Sequence, residues 1–174
     1  MLAIPSLAQP TGWECGNTSL AACAVFLGKA VSPADVATLA GTTTNGTDHA
    51  NLVEAARALG LTASAKAGAT MEDLAVCIAR GMPVIVGWWS KEARDRDWSR
   101  RWNRRVRRKK DCGHYSVVKD ATAERVVLMD PQEDEHGHGG GDRVFERGDF
   151  ERVWYDTDTH RYAKVTRWML SVSR

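Results

Sequence analysis

What is scarce in this 174-residue chain narrows the field first. Cysteine occurs four times, at Cys15, Cys23, Cys77 and Cys112. That is few for the length, and no two stand in a CxxC pair, so neither a disulfide framework nor a structural zinc site is indicated. No apolar run approaches the roughly 18 residues that a membrane-spanning helix needs. The first residues, Met-Leu-Ala-Ile-Pro-Ser-Leu-Ala, lack the basic start and long apolar stretch of a secretory signal. A cytoplasmic location is therefore expected. Internal repeats are absent. Net charge is only +2, and its distribution says more than its total.

What is present suits one folded unit. The chain is 43% hydrophobic with a mean hydropathy of −0.38, enough to bury one core, so residues 1–174 are expected to form a single domain. Helical spacing runs from Cys15 to about Leu27, with Leu20, Cys23, Ala24 and Leu27 on one face and Gly28 as the stop. Ser32-Pro33 caps a short helix ending at Gly41, and Thr42 to Thr47 reads as a polar loop. A third helix is expected from Asp48 to Leu59, and a fourth from Thr70 to Gly81. Leu61 to Ala67 alternates weakly as a strand. Pro83 to Trp89 reads as a buried strand, and His114–Lys119 and Arg125–Met129 as two strands joined by a short turn. Phe145 to Trp154 suggests a helix, and Lys164 to Val172 a last strand. Helices first and strands later make an α+β pattern.

Chemistry concentrates at four positions. Cys15 stands at a predicted helix start, where unpaired N–H groups and the helix dipole favour a thiolate. Gly16 beside it would admit a substrate. His114 opens a strand, from which an imidazole can be aimed across a cleft at a thiol. Asp130 closes the next strand, so a hairpin turning near Thr122 puts it at the same end as His114, where it would accept the Nδ1 proton and orient the ring. Gln9 lies on the loop entering the Cys15 helix, where a side-chain amide can join the Cys15 N–H in holding an oxyanion. Each residue alone has an ordinary structural explanation. Together they are the parts of a cysteine hydrolase.

The motifs Gln9-x5-Cys15-Gly16, Gly113-His114-Tyr115-x-Val117-Val118 and Asp130-Pro131 resemble those of papain-like cysteine peptidases. They are most similar to the double-glycine leader peptidase family, known as the bacteriocin-processing domain of some ABC exporters, and to its stand-alone relatives. The stretches 39–43, 55–61 and 81–86 fit the same pattern, as does Gly148 to Asp156, which resembles the Phe/Trp helix of stand-alone members. The resemblance implies a papain-like α+β fold, with a helical half carrying the nucleophile packed on an antiparallel sheet half. It implies Cys15 as nucleophile, His114 as general base and acid, Asp130 as the orienting carboxylate and Gln9 in the oxyanion hole. It also implies small residues, such as Gly-Gly, before the scissile bond. An exporter role does not carry over, since no membrane domain is present in the sequence.

One segment departs from that pattern. Lys91 to Lys110 holds eleven Lys or Arg and three acidic residues, a net of +8, so by subtraction from +2 the remainder carries about −6. Trp98, Trp102 and Val106 recur every four residues as a narrow apolar stripe. The segment reads as a solvated helix walling the cleft, as an arm for an acidic peptide, membrane surface or nucleic acid, or as an intramolecular gate on the acidic body.

Other candidates are weaker. Cys112 reads as a buried thiol or as a disulfide partner of Cys15, while Cys23 and Cys77 read as core. His136 and His138, before the glycine run Gly139–Gly141, read as a mobile loop, a metal site with His160, Glu133 or Asp134, or a site of self-cleavage. His49 is expected to face solvent. The sequence therefore leads to a cysteine peptidase acting on a peptide or protein through a thioester, needing no cofactor. An amidase or acyl transferase of the same fold, or a non-catalytic module binding a polyanion through Lys91–Lys110, are the alternatives.

Overall fold

The computed structural model describes residues 1–90, 113–132, 140–158 and 163–174. Four helices come first, interrupted by one strand: α1 Cys15–Phe26, α2 Pro33–Leu39, α3 His49–Ala58, β1 Thr62–Lys66 and α4 Met71–Ala79. Then follow β2 Val84–Trp89, β3 Gly113–Ala121, β4 Arg125–Asp130, β5 Gly141–Glu146, α5 Arg147–Val153, β6 Tyr155–Asp158, β7 Ala163–Thr166 and β8 Met169–Ser173. Six strands make one antiparallel sheet in the order β1-β8-β2-β3-β4-β5, and β6 pairs with β7 in a second. The α+β expectation is met.

Both faces of the large sheet are covered, which is why its central strands read as unbroken apolar runs. Along β2, Ile85 faces one core with Leu20 and Cys23 of α1, Val36 of α2, and Leu52 and Ala55 of α3. Its neighbours Val84, Val86 and Trp88 face the other core with Leu74 of α4 and Phe150, Val153 and Trp154 near α5. Helix α1 is buried along its first ten residues, Cys15 to Ala24. A helix buried nearly all round is a central element, and here it fixes the position of its first residue. Ser32 and Thr70 each close a capping box at the start of α2 and α4.

Several expectations need correction. Phe145 belongs to β5 rather than to a helix, which begins only at Arg147. The glycine run thus leads into an edge strand. Lys164–Val172 is two strands, broken at Arg167, whose φ of 52° no strand accommodates. β6 has no strong pattern of its own. The basic segment 91–110, Cys112 and residues 133–139 lie outside the described residues, as does His160.

Two substitutions check which contacts hold the fold. Leu20→Ala, at a fully buried site in α1, should cost about 2–5 kcal/mol in urea unfolding. Val144→Ala on the exposed edge strand β5 should stay within about 0.5 kcal/mol of wild type.

Candidate active site

Three of the four expected residues meet. Cys15 is the first residue of α1 and is 8% exposed. The helix has no acidic residue in its first turn, and Glu14 before it makes no side-chain cap. The positive end of the helix lies at the thiol, although the Glu14 carboxylate also sits there, accepting from Thr11 Oγ1 at 2.9 Å and Asn17 Nδ2 at 3.3 Å. Helix α1 is tied to β3 by Ser19, whose hydroxyl donates to the Tyr115 carbonyl at 3.3 Å. That brings the Cys15 end to the start of the strand carrying His114.

His114 pairs across the sheet with Trp88 of β2, and the indole stands edge-on to the imidazole with centroids 5.3 Å apart. On the other side, Val117 pairs with Met129, and β3 and β4 are joined by a turn closed from Thr122 N to Arg125 O. One step beyond Met129 puts Asp130 beside Ser116 and diagonal to His114, within reach of a long side chain on the same face. His114 Nε2 and Asp130 Oδ1 are 2.5 Å apart, with both residues 4% exposed. The carboxylate thus engages Nε2, not the expected Nδ1. The ring also hydrogen-bonds with Cys15, so Nδ1 is the nitrogen left for the thiol.

The electrostatics of this pair follow from its burial. Burial of the ring opposes its charge, yet Asp130 by charge and hydrogen bond, and then Cys15, outweigh it and lift the His114 pKa from 6.5 to about 10. Burial likewise works against an ionised Asp130, but His114, Arg143 and the Gln132 N–H hold its carboxyl below the usual range. Gln132 N donates to Oδ1 at 3.1 Å, and Arg143 Nε lies 3.2 Å from Oδ2. Burial pushes the Cys23 thiol up and also raises Cys77. Cys77 is only partly buried and packs at the edge of the second core, which corrects its expected place inside.

Gln9 is close to this constellation through its backbone. Its N–H donates to the carbonyl of Pro131 at 2.8 Å, which ties the loop before α1 to the residue after Asp130. Its side chain is buried and its Nε2 donates to Thr11 O at 2.7 Å, which uses one of two amide hydrogens. Gly16 serves packing rather than substrate access: a Cβ there would sit 3.1 Å from Tyr115 Cδ2 and 3.3 Å from Thr47 Cβ.

His49 does not face solvent. Its half-buried ring stacks on Trp168 at 4.1 Å and lies 3.5 Å from Oδ2 of buried Asp156, a second His–carboxylate pair. Asp156 presses on Gly87 and on Gly113, where an added Cβ would overlap its carboxylate. Glycine is required at those two strand positions because another side chain occupies the space. Sequence reasoning missed Arg143, Trp88 and Asp156. Strand pairing identifies Arg143 and Trp88, and the packing of β6 against the large sheet identifies Asp156. Among the described residues no group of three or more His, Cys, Asp or Glu side chains is arranged to hold a metal ion.

A model of the family described as "Peptidase_C39 like family" matches residues 1–162. No curated protein matches the chain. Among solved structures, a putative C39-like peptidase from Bacillus anthracis superposes with a TM-score of 0.68 at 17% identity, covering 100% of this chain and 96% of that one. A double glycine motif protease from an AMS/PCAT transporter, in complex with its leader peptide, gives 0.65 at 21% identity over 99% and 94%. The peptidase domain of Streptococcus ComA, a bi-functional ABC transporter, gives 0.64 at 20% identity, covering 96% of each chain. The fold is thus that of papain-like C39 peptidase domains.

The raised His114 pKa makes a prediction about stability. A ring that binds its proton more tightly when folded contributes fully below pH 6.5, and the contribution is lost as pH rises through about 10. Urea unfolding should therefore show wild type losing stability between those limits. Asp130→Asn, which removes the ring's counter-charge, should lose much less over the same interval. Parallel curves for the two proteins would contradict the assignment.

Proposed function

The chain belongs to the peptidase C39-like family, and from that premise we propose that it is a cysteine peptidase cleaving a peptide bond after small residues such as Gly-Gly. The observation that carries this reading is the contact of the His114 ring with Cys15 on one side and with Asp130 on the other. A substrate that is a peptide is supported by the transporter protease whose structure holds a leader peptide. Residues 1–174 are read as one peptidase domain acting in the cytoplasm, with 91–110 as a basic insertion within it.

The chemistry runs as follows. The reactive form of the Cys15–His114 pair is thiolate and imidazolium. The thiolate attacks the scissile carbonyl carbon. The oxygen, now an anion, is held by the Cys15 N–H and by the second amide hydrogen of Gln9. The imidazolium gives its Nδ1 proton to the leaving amine, the C–N bond breaks, and a thioester remains on Cys15. Neutral His114 then takes a proton from water, whose oxygen attacks the thioester and releases the acid. Asp130 keeps Nε2 occupied throughout, so the ring cannot rotate its reactive nitrogen away.

Peptides bearing Gly-Gly ahead of the scissile bond, incubated with the protein and followed by mass spectrometry, give the test. Wild type should release the two fragments, and Cys15→Ala and His114→Ala should each lose about a thousandfold or more in kcat/KM. Cleavage that survives Cys15→Ala would refute the peptidase reading. A product carrying an added amine in place of water would instead favour an acyl transferase. The basic insertion is read as contacting an acidic partner or gating the cleft. Replacing 91–110 with a short Gly/Ser linker should change turnover if it gates, and unchanged turnover would exclude the gate.

A further inference from the structure

The carboxylate that orients His114 has two oxygens, and only one faces the ring. Oδ1 lies 2.5 Å from His114 Nε2 and also accepts the Gln132 N–H. Oδ2 faces Arg143 of β5, with Nε at 3.2 Å. The register explains how the arginine gets there. Asp130 pairs with Gly141 and Leu128 with Arg143, so Arg143 stands diagonal to Asp130 on the same sheet face. Its guanidinium carbon also sits 5.3 Å from the centre of the Trp88 ring, at cation–π range. Trp88 in turn stands edge-on to His114 and donates its Nε1–H to Ser116 Oγ at 3.0 Å.

These four side chains close a ring of contacts: His114 to Asp130, Asp130 to Arg143, Arg143 to Trp88, and Trp88 back to His114. The arrangement is over-determined. A carboxylate held only by His114 is free to turn about its Cβ–Cγ bond, and on protonation in mild acid it loses its hold on the ring. A cation on the outer oxygen opposes both changes. Arg143 is 29% exposed on its side chain, so solvent weakens the ion pair, and its place over the Trp88 ring is what holds the charge beside Oδ2.

We propose that Arg143 is a positioning residue: through Oδ2 of Asp130 and the face of Trp88, it keeps Oδ1 aimed at His114 and so sets how far into acid the Cys15–His114 pair stays assembled. This inference rests on the peptidase reading, since it concerns the same pair. It adds to that reading a residue from the edge strand, and a limit on the working pH that the pair alone does not fix. Arg143→Lys preserves the charge but loses the planar fork and much of the stacking on Trp88. Arg143→Met preserves bulk and loses the charge.

The test follows two probes over a wide pH range in wild type, Arg143→Met and Arg143→Lys. Carbon-detected NMR reads the Asp130 carboxyl, and iodoacetamide alkylation resolved by mass spectrometry reads Cys15. Circular dichroism first confirms that each variant is folded. In Arg143→Met the carboxyl should titrate at higher pH than in wild type. The acid limb of Cys15 alkylation should move with it in the same direction, and the rate near pH 5 should fall severalfold. Arg143→Lys should lie between the two. If the carboxyl and the alkylation limb of Arg143→Met both overlay wild type, or if only the overall rate changes with no shift of the limb, the positioning role is wrong. A wild type whose Cys15 alkylation does not depend on His114 at any pH would instead overturn the peptidase reading itself.

Discussion

A histidine ring that is 4% exposed can carry a proton only if a counter-charge is buried with it, because removing an isolated ion from water costs far more than one domain's stability supplies. In this chain the counter-charge is Asp130, equally buried, at 2.5 Å. The remainder of the site is arranged around keeping that pair satisfied. Gln132 N–H bonds Oδ1 of the carboxylate and Arg143 sets a positive charge 3.2 Å from Oδ2, Trp88 stands edge-on to the ring, and the open nitrogen is left for Cys15. Breaking the pair leaves an uncompensated buried charge. Its members therefore act as one unit, and their effects will not add.

The architecture serves this constraint from two sides of the sheet. Cys15 arrives on a helix buried over its first ten residues, packed into the core formed with α2 and α3. His114 and Asp130 arrive on a hairpin whose same-face neighbours Trp88, Leu128 and Val118 belong to the opposite core. The two halves meet at the strand ends, where the Gln9 loop is pinned to Pro131. The second His–carboxylate pair, half-buried His49 with buried Asp156, lies against Gly87 of β2 and Gly113 of β3. The start of β3 is thus clamped beside the catalytic histidine candidate by side chains on both faces.

How much of this was legible depended on how local each cause is. The Cys15 helix, the helix caps at Ser32 and Thr70 and the apolar run of β2 are written in a few consecutive residues, and all stand where they were expected. Asp130 beside His114 followed from a short turn between two strands, and the one error there, Nδ1 for Nε2, turns on ring rotation, which no sequence pattern encodes. β5 was misread because an edge strand half in water alternates weakly and follows a glycine run. His49 was misread because what buries it, Trp168 and Asp156, lies more than a hundred residues away. Arg143 was invisible for a different reason: its partner Asp130 is set by the β4–β5 register and not by spacing.

The most direct measurement of the central claim is the rate of iodoacetamide alkylation at each cysteine at pH 6, in wild type and in His114→Ala. A thiol left as such reacts slowly there, whereas a thiolate held by an imidazolium reacts fast. The account predicts that Cys15 is alkylated much faster than Cys23 and Cys77, and that His114→Ala removes the difference. Equal rates at the three cysteines, or a fast Cys15 unaffected by the loss of His114, would contradict it.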